Sequence, residues 1–208
     1  MIINRILPGF IYGFFFLVCA QLENIVFINL LLTFFLIQLN IEFYNITVSE
    51  RNIFYKYILP IIYFIIPIII IKNIRTGYGS EYLVFLLLMT WINDISAFFI
   101  GKKIGKNKLS NISPNKTVEG LLGSIFICIL VCGKLSVFFN LSININSLLL
   151  GFIISISCNA GDLLESKIKR KYNVKDSGKI MKGHGGMLDR LDSILIASTI
   201  YYLILIYF

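Results

Sequence analysis

The stretch "EYLVFLLLMTWINDISAFFI", residues 81 to 100, decides the fold. It is nearly all apolar, and its length is what a helix needs to cross the hydrocarbon core of a bilayer, about 20 residues within a range of roughly 17 to 25. One acid, Asp94, interrupts its second half. Working outward, the chain repeats the pattern, with apolar runs at about 6 to 20, 25 to 43, 57 to 71, 120 to 139, 146 to 161 and 191 to 208. Such runs in 208 residues, together with 57% apolar residues and a mean hydropathy of +0.83, exclude an ordinary globular domain. The expected fold class is all-α, a polytopic membrane helix bundle of about seven transmembrane helices. The run at 57 to 71 is short and carries Pro60 and Pro67, so a kinked or re-entrant segment is expected there. The first run follows a single Arg5, lacks a small-x-small cleavage site, and reads as a span rather than a signal peptide.

Basic residues near spans prefer the cytoplasmic side. Seven spans with the N-terminus inside place sixteen of the nineteen Lys and Arg in the cytoplasm: Arg5, Arg51, Lys56, five lysines from Lys102 to Lys116, and eight residues from Lys167 to Arg190. Only Lys72, Arg75 and Lys134 fall outside. Two spans separate the loop at 101 to 119 from the loop at 162 to 190, so both face one compartment whatever the run at 57 to 71 does. Seven of the eleven acids, Asp94, Glu119, Asp162, Glu165, Asp176, Asp189 and Asp192, lie in or beside these two loops. Charge gathered at one membrane face argues against a transporter or channel, whose polar residues would be spread through the depth of the bilayer. Cys19, Cys128, Cys132 and Cys158 sit in apolar runs and read as small packing residues.

Asp94 lies seven residues before Gly101, about 10 Å along a helix. An ionisable side chain at such depth is costly and usually faces a polar cavity. Asp162 closes one apolar run, while Asp189 and Asp192 open the last and, three apart, share a helical face. Two acids on neighbouring helix ends can meet across a divalent cation, and carboxylates with water suit Mg²⁺, which commonly bridges to substrate phosphates. Mg²⁺ is therefore the expected cofactor, with a second, monovalent or divalent, cation as a further expectation. "GKKIGKNKLSNISPNKTVEG", residues 101 to 120, mixes glycines with five lysines, as a nucleotide's phosphates would require, although it is not a P-loop. "GHGG", residues 183 to 186, lets backbone N–H groups approach an anion and exposes the single histidine, His184, to substrate. The residues converge on a metal- and phosphate-handling site at the cytoplasmic face of a membrane protein.

The run "SKIKRKYNVKDSGKIMKGHGGMLDRLDS", residues 166 to 193, resembles the closing motif of the phosphatidate cytidylyltransferases, also called CDP-diacylglycerol synthases. Ser166, Lys169, Arg170, Lys175, Asp176, Gly178, His184, Gly185, Gly186, Asp189, Arg190 and Asp192 fall in register with it. A second block runs from Asp94 through Gly101, Lys102, Gly105 and Lys106 to "SPNKTVEG", Ser113 to Gly120, and a third is "GDLLES", Gly161 to Ser166. Lys182, Phe98 and Asn115 depart from the pattern, where the family usually has proline, tyrosine and a second lysine. The resemblance covers residues 90 to 193; it suggests N-terminal transmembrane helices over 1 to 80 and a catalytic membrane domain over 81 to 208.

The resemblance implies attack by a phosphate oxygen of phosphatidic acid on the α-phosphorus of CTP, giving CDP-diacylglycerol and pyrophosphate. It implies metal ligation by Asp162 and Asp189 with Asp192 in support. It implies catalytic roles for Lys169, Arg170, Lys175, Asp176, His184 and Arg190, with His184 hydrogen-bonding a phosphate. CTP and substrate contacts are expected from Asp94, Lys102, Lys106, Ser113, Lys116, Thr117, Glu119, Ser166, Gly185 and Gly186. The implied partners are CTP, phosphatidic acid, the lipid bilayer and a second copy of the chain, without nucleic acid, and the implied location is a bacterial inner membrane. The alternative is a CTP-dependent lipid kinase of the dolichol type, which the "KTVEG" block also fits and the "HGGMLDRLD" run disfavours.

Overall fold

The structure is a computed structural model and describes residues 18, 20, 21, 25–178 and 185–208. Its regular elements are all helical: α1 (Ile25–Ile46), α2 (Phe54–Gly77), α3 (Ser80–Ile104), α4 (Val118–Phe138), α5 (Ser147–Lys171) and α6 (Leu188–Tyr207). An antiparallel bridge joins Lys108 to Thr117. Among the described residues six helices are long and apolar enough to cross a membrane. The chain is therefore a multi-pass membrane protein; the run at 6 to 20 and Cys19 lie outside the described residues.

Two helices depart from expectation. The run at 57 to 71 is neither short nor re-entrant: α2 is a continuous helix of 24 residues. It absorbs its prolines through two π-helical turns, Phe54–Ile58 and Ile61–Ile65, each ending two residues before a proline. A proline lacks the N–H that bonds four residues back and its ring clashes with that carbonyl; here those carbonyls belong to Lys56 and Tyr63, in the middle of the two widened turns. The second departure is α5, which runs on past Asp162 to Lys171. Hydropathy falls at Asp162, but Leu163, Leu164, Glu165 and the lysines are good helix formers, and Lys169, Arg170 and Lys171 favour the negative end of the helix dipole. Asn173, at φ 55°, stops the helix with Val174 N–H donating to Lys169 O at 3.0 Å.

The chain divides into two compact units, Met1–Val84 with Ile168–Leu191, and Phe85–Lys167 with Asp192–Phe208. In the first, α1 packs on α2 through buried Leu39, Phe43, Phe64 and Ile71, with the Phe43 and Phe64 rings edge to face at 5.3 Å. In the second, α3, α4, α5 and α6 pack closely because small residues face one another. A Cβ on Gly120 of α4 would lie 2.8 Å from the carbonyl oxygen of Ala97 on α3, and one on Gly161 of α5 would strike the Asp192 carbonyl of α6. Close approach at small residues is the usual route to helix association in lipid, where hydrophobic burial offers no driving force. Cys128, Cys132 and Cys158 are buried and free of disulfides, as packing residues are.

Candidate active site

In the second unit the α3–α4 connection is built as a small closed loop. Thr117 caps α4, its Oγ1 accepting from Gly120 N–H at 3.1 Å. Glu119, in the first turn of α4, accepts from the N–H groups of Lys106 (3.1 Å) and Asn107 (3.2 Å) and from Asn107 Nδ2 (2.8 Å). Main-chain bonds Leu109 N to Lys116 O (2.8 Å) and Val118 N to Asn107 O (3.0 Å) close it. Thr117 and Glu119 thus hold the loop that carries Lys106, Ser113 and Lys116. The glycines of "GKKIGKNK" are not slack backbone: Gly101 and Gly105 stand against Thr117, so their place is the α3–α4 crossing. Lys102 is exposed, with its ammonium 5.7 Å from the Phe98 ring centroid.

The same unit brings three of the singled-out acids together. Gly161 lets α5 and α6 touch, and beside it the carboxyl of Asp192, 6% exposed, lies at hydrogen-bonding range of Asp162. Lys116, its ammonium sealed from solvent, forms an ion pair with Asp162. Asp94 of α3 accepts Ser193 Oγ at 3.4 Å and Asn93 Nδ2 at 3.2 Å. Because α5 continues, Asp162, Glu165, Ser166 and Lys169 fall at i, i+3, i+4 and i+7 on one helical face, with Glu165 and Ser166 buried.

Behind this lies a network that the sequence reading passed over. Asn93 of α3, 1% exposed, accepts at Oδ1 from Ser155 Oγ (2.6 Å) and Asn159 Nδ2 (3.1 Å) of α5, and Asn159 also reaches Ser124 of α4 at 3.3 Å. The signal for it was present, in Asn and Ser at helical spacing inside apolar runs.

The first unit holds a second polar cluster. Asp189, in the first turn of α6, takes Lys169 Nζ on Oδ1 at 2.5 Å, and on Oδ2 the N–H groups of Gly186 (2.7 Å) and Ser177 (2.9 Å) with Ser177 Oγ at 3.0 Å. Gly185, at φ 83°, turns the chain so that Gly186 can make its bond. The anion met by this glycine-flanked backbone is the chain's own carboxylate. Arg170 donates to Val174 O at 2.8 Å, while Lys175, Asp176 and Arg190 are exposed. His184 lies outside the described residues. Glu42 of α1, also missed, is buried in this cluster; an acid inside the apolar run at 25 to 43 was the available sign. Elsewhere in this unit Glu50 accepts Lys171 Nζ (2.8 Å) and Tyr172 Oη (2.7 Å), contacts that hold its carboxyl down at about 2, while burial and the Glu50 bond push the Tyr172 phenol up.

Among the described residues no three His, Cys, Asp or Glu side chains form a ready cage for a metal. Mg²⁺ does not need one, since it keeps several waters and binds through one or two carboxylates plus phosphate. Asp162 and Asp192 meet that requirement, and the Lys116 ammonium on Asp162 shows that positive charge is stabilised there. Asp189 is placed differently: Lys169 Nζ stands at Oδ1 and the N–H groups of Ser177 and Gly186 at Oδ2, so its carboxylate already ties the end of α5 to the turn before α6.

The sequence profile of the cytidylyltransferase family matches residues 4–208. The phosphatidate cytidylyltransferase of Bacillus subtilis (strain 168) is 44% identical over 133 residues, which are 63% of this chain and 49% of that protein. The phosphatidate cytidylyltransferases of Staphylococcus epidermidis (strain ATCC 12228 / FDA PCI 1200) and Staphylococcus aureus (strain COL) are 44% and 41% identical over 130 residues, 62% of this chain and 50% of each relative. The chain spans about half the length of the curated relatives it matches. With the profile matching almost from end to end, the chain belongs to the cytidylyltransferase family.

Proposed function

We propose that this chain is a phosphatidate cytidylyltransferase. The observation that carries the reading is the meeting of Asp162 and Asp192 at the α5–α6 contact, with Lys116 of the capped α3–α4 loop on Asp162. Family membership and the names of the relatives support it.

The nucleophile is the phosphate monoester of phosphatidic acid, whose second pKa near 6 leaves it largely ionised at neutral pH. A bond forms between one of its oxygens and the α-phosphorus of CTP, and the bond from that phosphorus to the bridging β-phosphate oxygen breaks. Pyrophosphate leaves with the electron pair, so no proton has to be removed. The protein's task is electrostatic, to bring a dianion against a triphosphate and to neutralise the charge that develops. Asp162 and Asp192 would hold Mg²⁺, which when bound supplies positive charge to phosphate oxygens. Lys116, released from Asp162, turns its ammonium to phosphate. Thr117 and Glu119 keep the loop bearing Lys106 and Ser113 in shape for the triphosphate. Lys102, Lys175 and Arg190, exposed and basic, raise the local concentration of anionic substrate. His184 donates a hydrogen bond to a phosphate, and the active site faces the cytoplasm of a bacterium, as the Lys and Arg distribution supports. A homodimer follows from the family resemblance, and its mass in detergent tests it.

The deciding experiment supplies the protein, Mg²⁺ and phosphatidic acid with CTP labelled at the α- or the γ-phosphate. Label from the α-position alone should enter lipid. Lipid carrying the γ-label would make the protein a kinase, and unlabelled lipid in both arms would refute the proposal.

A further inference from the structure

Glu42 is an acid in the membrane-spanning α1, yet it is 3% exposed and fully engaged. Its Oε1 accepts Met187 N–H at 2.7 Å, and its Oε2 accepts Leu188 N–H at 2.9 Å and Ser177 Oγ at 2.8 Å. Two of these donors are backbone groups at the start of α6, which have no partner within the helix. The third comes from the segment that follows α5. One carboxylate therefore binds both stretches of chain whose N–H groups, those of Ser177 and Gly186, orient Asp189.

The Ser177 hydroxyl strengthens the point. It stands 2.8 Å from Glu42 Oε2 and 3.0 Å from Asp189 Oδ2, but it has one proton to give. Asp189 Oδ2 already receives two backbone N–H groups, so the hydroxyl proton belongs with the nearer Glu42.

Two glycines of the motif make room for this carboxylate. A Cβ on Gly178 would lie 2.9 Å from Glu42 Oε1, and one on Gly186 would collide with Glu42 Oε2 and lie 2.6 Å from its Cδ. The glycines of "DSG" and "HGG" thus form a recess, and what fills the recess arrives from a helix more than 130 residues earlier in the chain, as the sequence separation of 135 between Glu42 and Ser177 shows.

We infer that Glu42 is a positioning residue for cytidylyl transfer, which acts by holding Ser177 and the Gly186–Leu188 turn so that Asp189 keeps its orientation. The inference rests on the function proposed above, and the experiment has one arm that does not. Glu42→Gln, Glu42→Asp and Ser177→Ala are compared with wild type in detergent by hydrogen exchange and by the rate of cytidylyl transfer. Glu42→Gln and Ser177→Ala should speed exchange at residues 177 and 186–189 by about tenfold or more, the effect of losing one bond to a charged group, with exchange in α4 unchanged. The same variants should lower kcat by a similar factor with KM for CTP changed less than about threefold, since the family resemblance implies a metal-holding role for Asp189 and its misorientation would weaken transition-state interactions more than binding. Glu42→Asp, which keeps the charge, should recover part of both.

Unchanged exchange at those residues, or a rise in KM with kcat intact, would overturn the inference. Should Glu42→Gln unfold the whole chain, Ser177→Ala decides alone: a local change supports the inference and an unaltered kcat and exchange overturn it. If wild type transfers no cytidylyl group, the function proposal fails, while the exchange arm still judges the clamp.

Discussion

At Glu50 four donors meet one carboxylate: Lys171 Nζ and Tyr172 Oη on Oε2, and the N–H groups of Arg51 and Asn52 on Oε1. With the Lys171 bond foremost, they lower its pKa from 4.5 to about 2. A depressed carboxyl pKa means the unfolded chain binds the proton more readily, so the contribution is fully present above 4.5 and disappears as pH falls toward 2. The stability gap between wild type and Glu50→Gln should accordingly be constant at neutral pH and close across that window; a gap that widened on acidification would contradict the contacts. Asn93 is the opposite kind of residue, sealed among three helices. Asn93→Ala leaves the Ser155 hydroxyl and an Asn159 N–H without their shared acceptor and should cost about 1–3 kcal/mol, against about 1 kcal/mol for Ser155→Ala, read from unfolding in detergent. For His184 the expected role is a phosphate hydrogen bond, so His184→Gln should keep measurable transfer with its pH profile little changed; a lost acidic limb would identify a proton-transfer role instead. That Asp162 could meet an acid of the last helix was legible from their places at neighbouring helix ends, and Asp94 stood out as an acid inside an apolar run; that Asp94 and Asp192 join Asp162 in one cluster was not legible. Glu42 was just as visible as Asp94, but its partners lie too far along the chain for spacing to reveal them.

Helix ends and crossings show what hydropathy reads and what it misses. The apolar run at 146 to 161 marks only the apolar part of α5, whereas the helix itself is set by propensity and capping and reaches Lys171. At 1.5 Å per residue its 25 residues span about 37 Å, more than the roughly 30 Å hydrocarbon core, which leaves charged turns beyond the lipid. In α2 the prolines suggested a break, and the helix instead widened into π turns at the two obstructed carbonyls. The glycines of α3 and α4 read as phosphate-loop flexibility and turned out to be contact surface, a distinction that only the facing helix can make. Gly120→Ala should therefore lower stability by about 1–3 kcal/mol, because its Cβ meets the Ala97 carbonyl. Gly77→Ala, whose Cβ meets open space at the end of α2, should be neutral or stabilising by up to about 1 kcal/mol. Apparent Tm values of the two variants in one detergent check the pair, and equal losses would refute the close α3–α4 crossing.

Across the whole chain, alternation of spans is expected to put residues 105–117 and 172–178 on one side of the membrane and residues 139–146 on the other. With Cys19 replaced by serine, cysteines substituted singly for Asn111 and Lys175 should react with an impermeant thiol reagent from the cytoplasmic side, and one for Asn144 from the opposite side only. Labelling of 111 and 175 from different sides would refute the topology. The sequence by itself determined the membrane class, the helical content and the family, because long apolar runs and a contiguous motif are local in the chain. Only the tertiary structure decided which acid has which partner. Lys116 goes to Asp162, Lys169 to Asp189 and the α6 N-terminus to Glu42, because ion pairs and helix caps form wherever folding brings opposite charges or unsatisfied N–H groups within about 3 Å, at separations that no spacing rule encodes.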